Sequence, residues 1–178
     1  MKISPINSKE KSEISDFFYK VFTQFEGEQE GLILKKLSLA LTEQIQDNHI
    51  MGIKAHTPGD ILGAIFLSQL TYQANLTVFL LSPVGVHPNH QRRQIGTQMI
   101  EYAIQYLNSH DASLLVTYGD PQYYNRLGFQ GVSEQDLPPP FPLSQPEGWM
   151  YRGIKLNRIP VITGKALCVE PFNQRNLW

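Results

Sequence analysis

The sequence predicts one α/β domain built on a mixed β-sheet (α+β), and three patterns carry that reading. Apolar residues recur at helical spacing through most of residues 8–45. Two β-type runs follow, joined by Thr57-Pro58-Gly59-Asp60, a turn whose proline and glycine supply the φ values that antiparallel neighbours need. Beyond them a strand, a long helix and a second strand end by residue 118. Parallel neighbours need a connection of about a dozen residues or more, which that helix supplies.

The elements follow in order. Over residues 8–25, Ile14, Phe17, Phe18, Val21, Phe22 and Phe25 draw one face of a helix, and over 32–45, Leu34, Leu37, Leu41 and Ile45 draw another. The acidic run Glu26-Gly27-Glu28-Gln29-Glu30-Gly31 reads as the loop between them. Residues 50–55, 61–70 and 76–81 read as strands, with a bulge or strand end at Pro83 and Gly85. A helix over 93–108 carries Ile95, Met99, Ala103 and Leu107 on one stripe, and 114–118 is a short buried strand. Asp120 caps a brief helix that has Pro121 at its first position and closes at Gly128. Residues 138–142 form a proline-rich extended loop and 149–156 a further strand. The tail, 158–178, holds strand-like pieces at 160–163 and 166–169 and reads as an extension that packs on or completes the sheet of a single domain spanning 1–178.

Composition removes several function classes. A formal net charge of −1 over 178 residues gives no electrostatic excess for holding a nucleic acid. The single cysteine, Cys168, excludes an internal disulfide framework, and no Cys/His cluster has the spacing of a metal site. The N-terminal stretch is polar and lacks the apolar core of a signal peptide, and the longest apolar run, 61–67, is too short to span a bilayer. The expectation is a cytoplasmic protein, monomer or homodimer, with neither membrane nor nucleic-acid partners.

Chemistry concentrates in two segments. In VHPNHQRRQIGTQMI a strand passes through a tight turn into a helix whose first N–H groups lack intrahelical partners, an arrangement that suits a diphosphate. Gly96 brings no side chain between backbone and phosphate, and Arg92 and Arg93 add charge at the rim. A plain helix start with a solvated basic turn fits the same residues. If Pro83 and Gly85 bend the strand away from its parallel neighbour, backbone groups around Val84 and Val86 are left for an amide-rich ligand chain to pair with as an added strand. In GDPQYYNRLGF the brief helix brings Tyr124 near the end of the 114–118 strand. A phenol of pKa about 10 is a suitable general acid for a departing thiolate. Tyr123 and Tyr124 also suit plain packing.

Residues 80–129 resemble the acetyl-CoA-binding core of the GNAT N-acetyltransferases. The family's Q/R-x-x-G-x-G/A turn falls on Gln91 to Gly96, and its general-acid tyrosine, four residues before a Gly-Phe pair, falls on Tyr124. The string GDPQYYNRLGF and the proline-rich loop before GKALCVEPF resemble the YhbS-like subgroup. That resemblance implies a GNAT-like fold, a strongly twisted mixed sheet splayed between its two central parallel strands with helices on both faces. It also implies acetyl-CoA as co-substrate, held by Val84, Val86, Gln91, Arg92, Arg93, Gln94, Ile95, Gly96, Thr97 and Tyr123, and no metal. One departure stands out: Gln94 occupies the place of the family's first glycine. If Gln94 is helical its side chain points outward and its N–H still donates.

An amine acceptor must lose a proton to attack a thioester. The candidate routes are a water held by Ser82 and backbone carbonyls, His49, and Glu26, Glu28 or Glu30. His87 and His90 read as turn residues, and Cys168 as a packing residue with no base nearby in sequence, which favours direct attack over an acyl-enzyme. Phe141, Trp149 and Tyr151 either line an acceptor pocket or fill the core. The reading is therefore an N-acetyltransferase acting on a small-molecule or peptide amine. The alternative is a non-catalytic acyl-CoA sensor or interaction module, suggested by Gln94 and by the lack of a carboxylate in the strand before the turn.

Overall fold

The computed structural model describes residues 1–45 and 49–178. In chain order the elements are β1 (Lys2–Pro5), α1 (Lys11–Glu26), α2 (Glu28–Glu43), β2 (Ile50–Thr57), β3 (Asp60–Leu70), β4 (Val78–Val86), α3 (Ile95–Ser109), β5 (Leu114–Tyr118), α4 (Pro121–Tyr124), β6 (Gln130–Gly131) and β7 (Trp149–Gly153). The strands hydrogen-bond in the order β1-β2-β3-β4-β5-β7-β6. The sheet is mixed: β4 and β5 run parallel, while β1 with β2, β5 with β7 and β6 with β7 are antiparallel. The chain forms two compact units, Met1–Leu67 with Pro83–Ala103 and Ser68–Ser82 with Ile104–Trp178.

In the first unit, β1 was not expected from sequence. Its KISP has one strong apolar residue, so the strand exists through pairing: Ile3 lies opposite Ala55, and the Ile6 N–H continues the ladder to the Gly52 carbonyl at 2.8 Å. The acidic loop is corrected. Only Gly27, at φ 97°, separates α1 from α2, and Glu28 and Glu30 lie in the first turn of α2, where carboxylates complement the helix dipole. The two helices therefore form a tight hairpin. Helices cover both faces of β3. The rings of Phe18 on α1 and Phe66 on β3 sit 5.8 Å apart, whereas a Cβ built on Gly63 would come 2.6 Å from Cε of Met99 on α3. Positions 63 and 66 are an odd number of residues apart and so point to opposite faces. Ile14, Phe18, Ile53, Ile65 and Phe66 are almost wholly buried, each worth roughly 1.5–3 kcal/mol over exposure.

The turn at 57–60 forms as expected, with Gly59 at φ 94° between β2 and β3. The expected strand end at Pro83 and Gly85 does not occur. β4 continues through both to Val86, with Gly85 packed so closely that a Cβ would meet the rings of Phe17 and Phe18 at 3.2 Å.

In the second unit, parallel pairing of β4 with β5 runs from Val78↔Leu114 to Leu81↔Thr117, and β4 goes on beyond it. Trp149 of β7 is fully buried and donates its indole N–H to the Leu137 carbonyl at 2.8 Å. The expected strand over 149–156 is shorter, ending at Gly153. The tail is also corrected: its strand-like pieces reduce to a single antiparallel bridge, Thr71↔Leu167, with both N–H···O distances 2.8 Å. Aromatic packing holds the tail instead. Trp178 is 5% exposed, donates to the Phe172 carbonyl at 3.0 Å, and meets the Trp149 ring edge-on at 6.1 Å.

Candidate active site

β4 presents a regular alternation along its second half. Leu81, Pro83 and Gly85 are buried, while Ser82, Val84 and Val86 are half-buried and share the other side of the strand. The strand then enters the turn through His87, whose N–H reaches the Leu62 carbonyl at 2.9 Å and whose Nδ1 accepts from the Asn89 N–H at 3.3 Å. His90 meets His87 ring-to-ring at 5.4 Å. These contacts give His87 the structural role in the turn expected of it, here as a cap, and engage the Nδ1 lone pair that a base would need.

From Gln91 to Gln94 the side chains are exposed and the backbone is unusual. Gln91 is extended at φ −63° and ψ 162°, Arg92 has φ 59° and Gln94 has φ 62°. The helix begins at Ile95, two residues later than expected, and Gln94 is left-handed rather than helical. This supplies the physical reason a glycine suits that position: a side chain at positive φ crowds its own backbone. The Gln98 N–H donates to the Gln94 carbonyl at 2.9 Å, so Gln94 accepts the first intrahelical bond and the amides of Ile95, Gly96 and Thr97 have no acceptor within the helix. Ile95 and Gly96 are buried, which pins this first turn to the core, and Thr97 is half-buried. The segment thus offers adjacent amides, a positive dipole end and flanking Arg92 and Arg93, a combination suited to a diphosphate.

Tyr124 is reached from the other side of the sequence signature. Asp120 caps α4 as expected, accepting from the Gln122 N–H at 2.8 Å, Pro121 occupies the first turn, and Gly128 closes the segment at φ 78°. The phenol-bearing ring is 7% exposed, set edge-on to Phe129 at 5.4 Å and to Tyr123 at 5.0 Å. Burial pushes its pKa up to about 12, partly offset by a hydrogen bond with the Thr117 side chain. Sequence reasoning missed two residues here. A Cβ on Gly119 would lie 2.8 Å from the Tyr124 ring, so only glycine leaves room for it, and Thr117 is fully buried with its hydroxyl 3.0 Å from the Leu81 carbonyl. The glycine directly before the Asp120-Pro121 cap was the readable signal.

The remaining candidates divide by setting. Trp149 belongs to the core, whereas Tyr151 lines a cavity of about 400 Å³ with Val132, Asp136, Arg158 and Ile162. Phe141 is half-buried in the proline-rich loop. Glu26 closes α1, with its pKa raised by burial and by Glu30, and His49 is exposed just before β2. Cys168 is half-buried and burial raises its thiol pKa, which reduces its thiolate character. Among the described residues no group of three or more His, Cys, Asp or Glu is placed to hold a metal ion, and no helix is long and apolar enough to cross a membrane.

Comparison with known proteins agrees with this architecture. Residues 46–131 match the family model of the acetyltransferase (GNAT) domain. The chain is 23% identical over 141 residues to the uncharacterized N-acetyltransferase YjhQ of Escherichia coli K12, covering 76% of this chain and 77% of that protein. The crystal structure of the Escherichia coli GNAT protein YhbS in complex with CoA superposes with a TM-score of 0.74 at 19% identity, over 97% of this chain and 92% of that one. A Brucella melitensis GNAT acetyltransferase in complex with acetyl-CoA gives a TM-score of 0.69 at 20% identity, over 96% and 97%. Residues 46–131 thus match the acetyltransferase (GNAT) domain, and the chain is similar to the uncharacterized N-acetyltransferases YhbS and YjhQ over most of its length.

Proposed function

We propose that the protein transfers the acetyl group of acetyl-CoA to a primary amine by direct attack in a ternary complex. The observation that carries this reading is the entry to α3, where left-handed Arg92 and Gln94 precede the free first-turn amides of Ile95, Gly96 and Thr97. Such a turn suits the CoA diphosphate, with Arg92 and Arg93 adding charge and the half-buried side of β4 at Val84 and Val86 offering backbone to the pantetheine arm. Tyr123 is assigned to the same ligand on the strength of its place beside Tyr124.

The acyl donor contributes a carbon already activated as a thioester. The protein's own task is proton management. A phenol held near pKa 12 is fully protonated at neutral pH, so Tyr124 is assigned the general-acid role toward the leaving thiolate. The acceptor's proton is assigned to water held beside Ser82, since His87 is engaged in its cap, and direct attack is assigned over an acyl-enzyme because burial raises the Cys168 thiol pKa. The acyl-CoA sensor reading draws on one observation, the left-handed glutamine at the mouth of the turn. Release of CoA thiol from acetyl-CoA in the presence of a panel of amines separates the two. The transferase predicts amine-dependent release that drops by about 10²-fold or more in Tyr124→Phe; binding without any release supports the sensor.

A further inference from the structure

Between the end of β4 and the start of α3, one hydrogen bond differs in kind from its neighbours. The His90 N–H donates to the His87 carbonyl at 2.8 Å and the Gln91 N–H to the Pro88 carbonyl at 3.4 Å, bonds to acceptors that do not titrate. The Asn89 N–H instead donates to Nδ1 of His87 at 3.3 Å. Nδ1 stands two bonds from Cβ, as Oδ1 of an asparagine does, so the imidazole closes the loop that an Asn side chain closes with the amide two residues on. Only a neutral ring can do this. Nδ1 accepts when its lone pair is free, which puts the ring proton on Nε2, and an imidazolium has donors alone. Upstream the backbone is anchored by the His87 N–H on the Leu62 carbonyl at 2.9 Å, and downstream lie Arg92 and Gln94, both at positive φ.

We propose that His87 is a positioning residue for the donor turn, a latch that holds the backbone from His87 to Gln91 in shape while its ring is neutral and releases it when the ring takes a proton. The inference rests on the assignment of that turn to the CoA diphosphate above. The charges around the ring decide where an imidazolium goes. A cavity of about 280 Å³ beside His87 is lined by Glu13, Asp16, Phe17, Lys20, Asp60 and Ile61. Asp16 is paired with Lys35 at 2.6 Å, whereas Glu13 and Asp60 form no ion pair among the described residues and so attract a charged ring. Lys20 in the same cavity, His90 at 5.4 Å ring to ring, and Arg92 and Arg93 on the same turn oppose the charge. The turn therefore has two arrangements, a neutral ring on the Asn89 amide and a charged ring drawn to the carboxylates, and acidification moves population from the first to the second. A donor that needs the first arrangement binds more weakly in proportion to the fraction lost.

The test sets His87→Asn, whose side chain accepts from the Asn89 amide at any pH, and His87→Ala, which has no acceptor, against the wild type. Acetyl-CoA is titrated calorimetrically at about pH 8 and about pH 5.5, the span over which an imidazole changes charge. At the higher pH, wild type and His87→Asn should bind alike, and His87→Ala about two- to tenfold more weakly, the worth of one such hydrogen bond. At the lower pH the wild type should fall to the level of His87→Ala, so that His87→Asn binds more tightly than wild type. The CoA 3′-phosphate and the other histidines are common to all three proteins, and their titration cancels in the comparison. A second measurement needs no ligand: in ¹H–¹⁵N spectra of the free wild type the Asn89 amide should shift with the same midpoint as the His87 ring carbons, and the shift should vanish in His87→Asn. An equal pH dependence of binding in wild type and His87→Asn, an affinity that rises on acidification in the wild type alone, or an Asn89 amide indifferent to the His87 titration overturns the latch. Absence of acetyl-CoA binding by the wild type at about pH 8 instead overturns the assignment of the donor turn, and the amide titration then still decides whether His87 holds it.

Discussion

Gln94→Gly is the substitution for which the structure gives the clearest sign. Gln94 sits at φ 62° immediately before α3, with its side chain exposed, so it carries backbone strain without buried contacts in compensation. A non-glycine residue in the left-handed region costs roughly 1–2 kcal/mol. Glycine removes that cost but loses about 0.4–1 kcal/mol through the greater freedom of its unfolded chain. The net expectation is a gain near 1 kcal/mol, or about 2–4 °C in Tm for a chain of this size. Gln94→Ala is the control: it removes the same side chain and keeps the strain, so its stability should change by less than about 0.5 kcal/mol. Urea unfolding of the ligand-free protein, read as midpoint and slope, measures both. Binding separates the two effects further. If the side chain crowds the diphosphate, both variants bind acetyl-CoA more tightly, whereas relief of strain in a turn already formed changes stability alone. Loss of stability in Gln94→Gly, or an equal gain in Gln94→Ala, would refute the strain argument, and unchanged or weaker binding would refute the crowding argument.

Gly119→Ala should displace Tyr124, because the new methyl group would start 2.8 Å from its ring; about 1–3 kcal/mol of unfolding free energy is lost, and kcat falls more than KM rises. Unchanged stability and turnover would contradict the packing described for this tyrosine. Trp178→Ala should cost about 3–5 kcal/mol in urea unfolding, since a side chain only 5% exposed leaves Trp149 and the Phe172 carbonyl without their partners. A loss below about 1 kcal/mol would mean the tail is dispensable to the fold. Alkaline pH gives a signed prediction. Tyr124 has a folded pKa near 12 against about 10 unfolded, so the unfolded chain loses this proton first and stability falls as pH rises between those values, by up to about 3 kcal/mol. Tyr72, also raised by burial, acts in the same direction. Tyr124→Phe should flatten the fall measured between pH 9 and 11, and an unaltered slope would contradict the burial of the phenol.

Local chemistry made much of this fold legible in the sequence. Asp120 and Pro121 open α4 and Gly128 closes the short turn that follows it, because capping is decided within a few residues, and β5 is found from Leu114 to Tyr118 as expected. Elements held by partners were harder to see. β1 has one strongly apolar residue and β6 spans only Gln130–Gly131, so both are defined by the neighbouring strand's ladder. Pro83 suggested a strand end because it lacks an N–H, yet β4 continues through it. The acidic residues after Gly27 suggested solvent and a loop, although carboxylates at 28 and 30 are what a helix N-terminus favours. Within the candidate site, Tyr124 and the 91–96 turn were singled out through the resemblance of their segments to the family's motifs, while the need for Gly119 shows only once the Tyr124 ring has a position. The handedness of Gln94 was hidden as well, because the apolar stripe of α3 does not reveal where its first helical φ falls.

The most direct test of the account is isothermal titration of the purified protein with acetyl-CoA, alongside adenosine 3′,5′-bisphosphate, which lacks the pantetheine arm. The account predicts micromolar binding of acetyl-CoA, weaker binding of the bisphosphate, and a marked loss of acetyl-CoA affinity when Gly96 is replaced by a bulky residue at the first turn of α3. No binding of acetyl-CoA by the intact protein would contradict it, and the left-handed glutamine at the entrance of α3 would then mark a turn closed to the ligand.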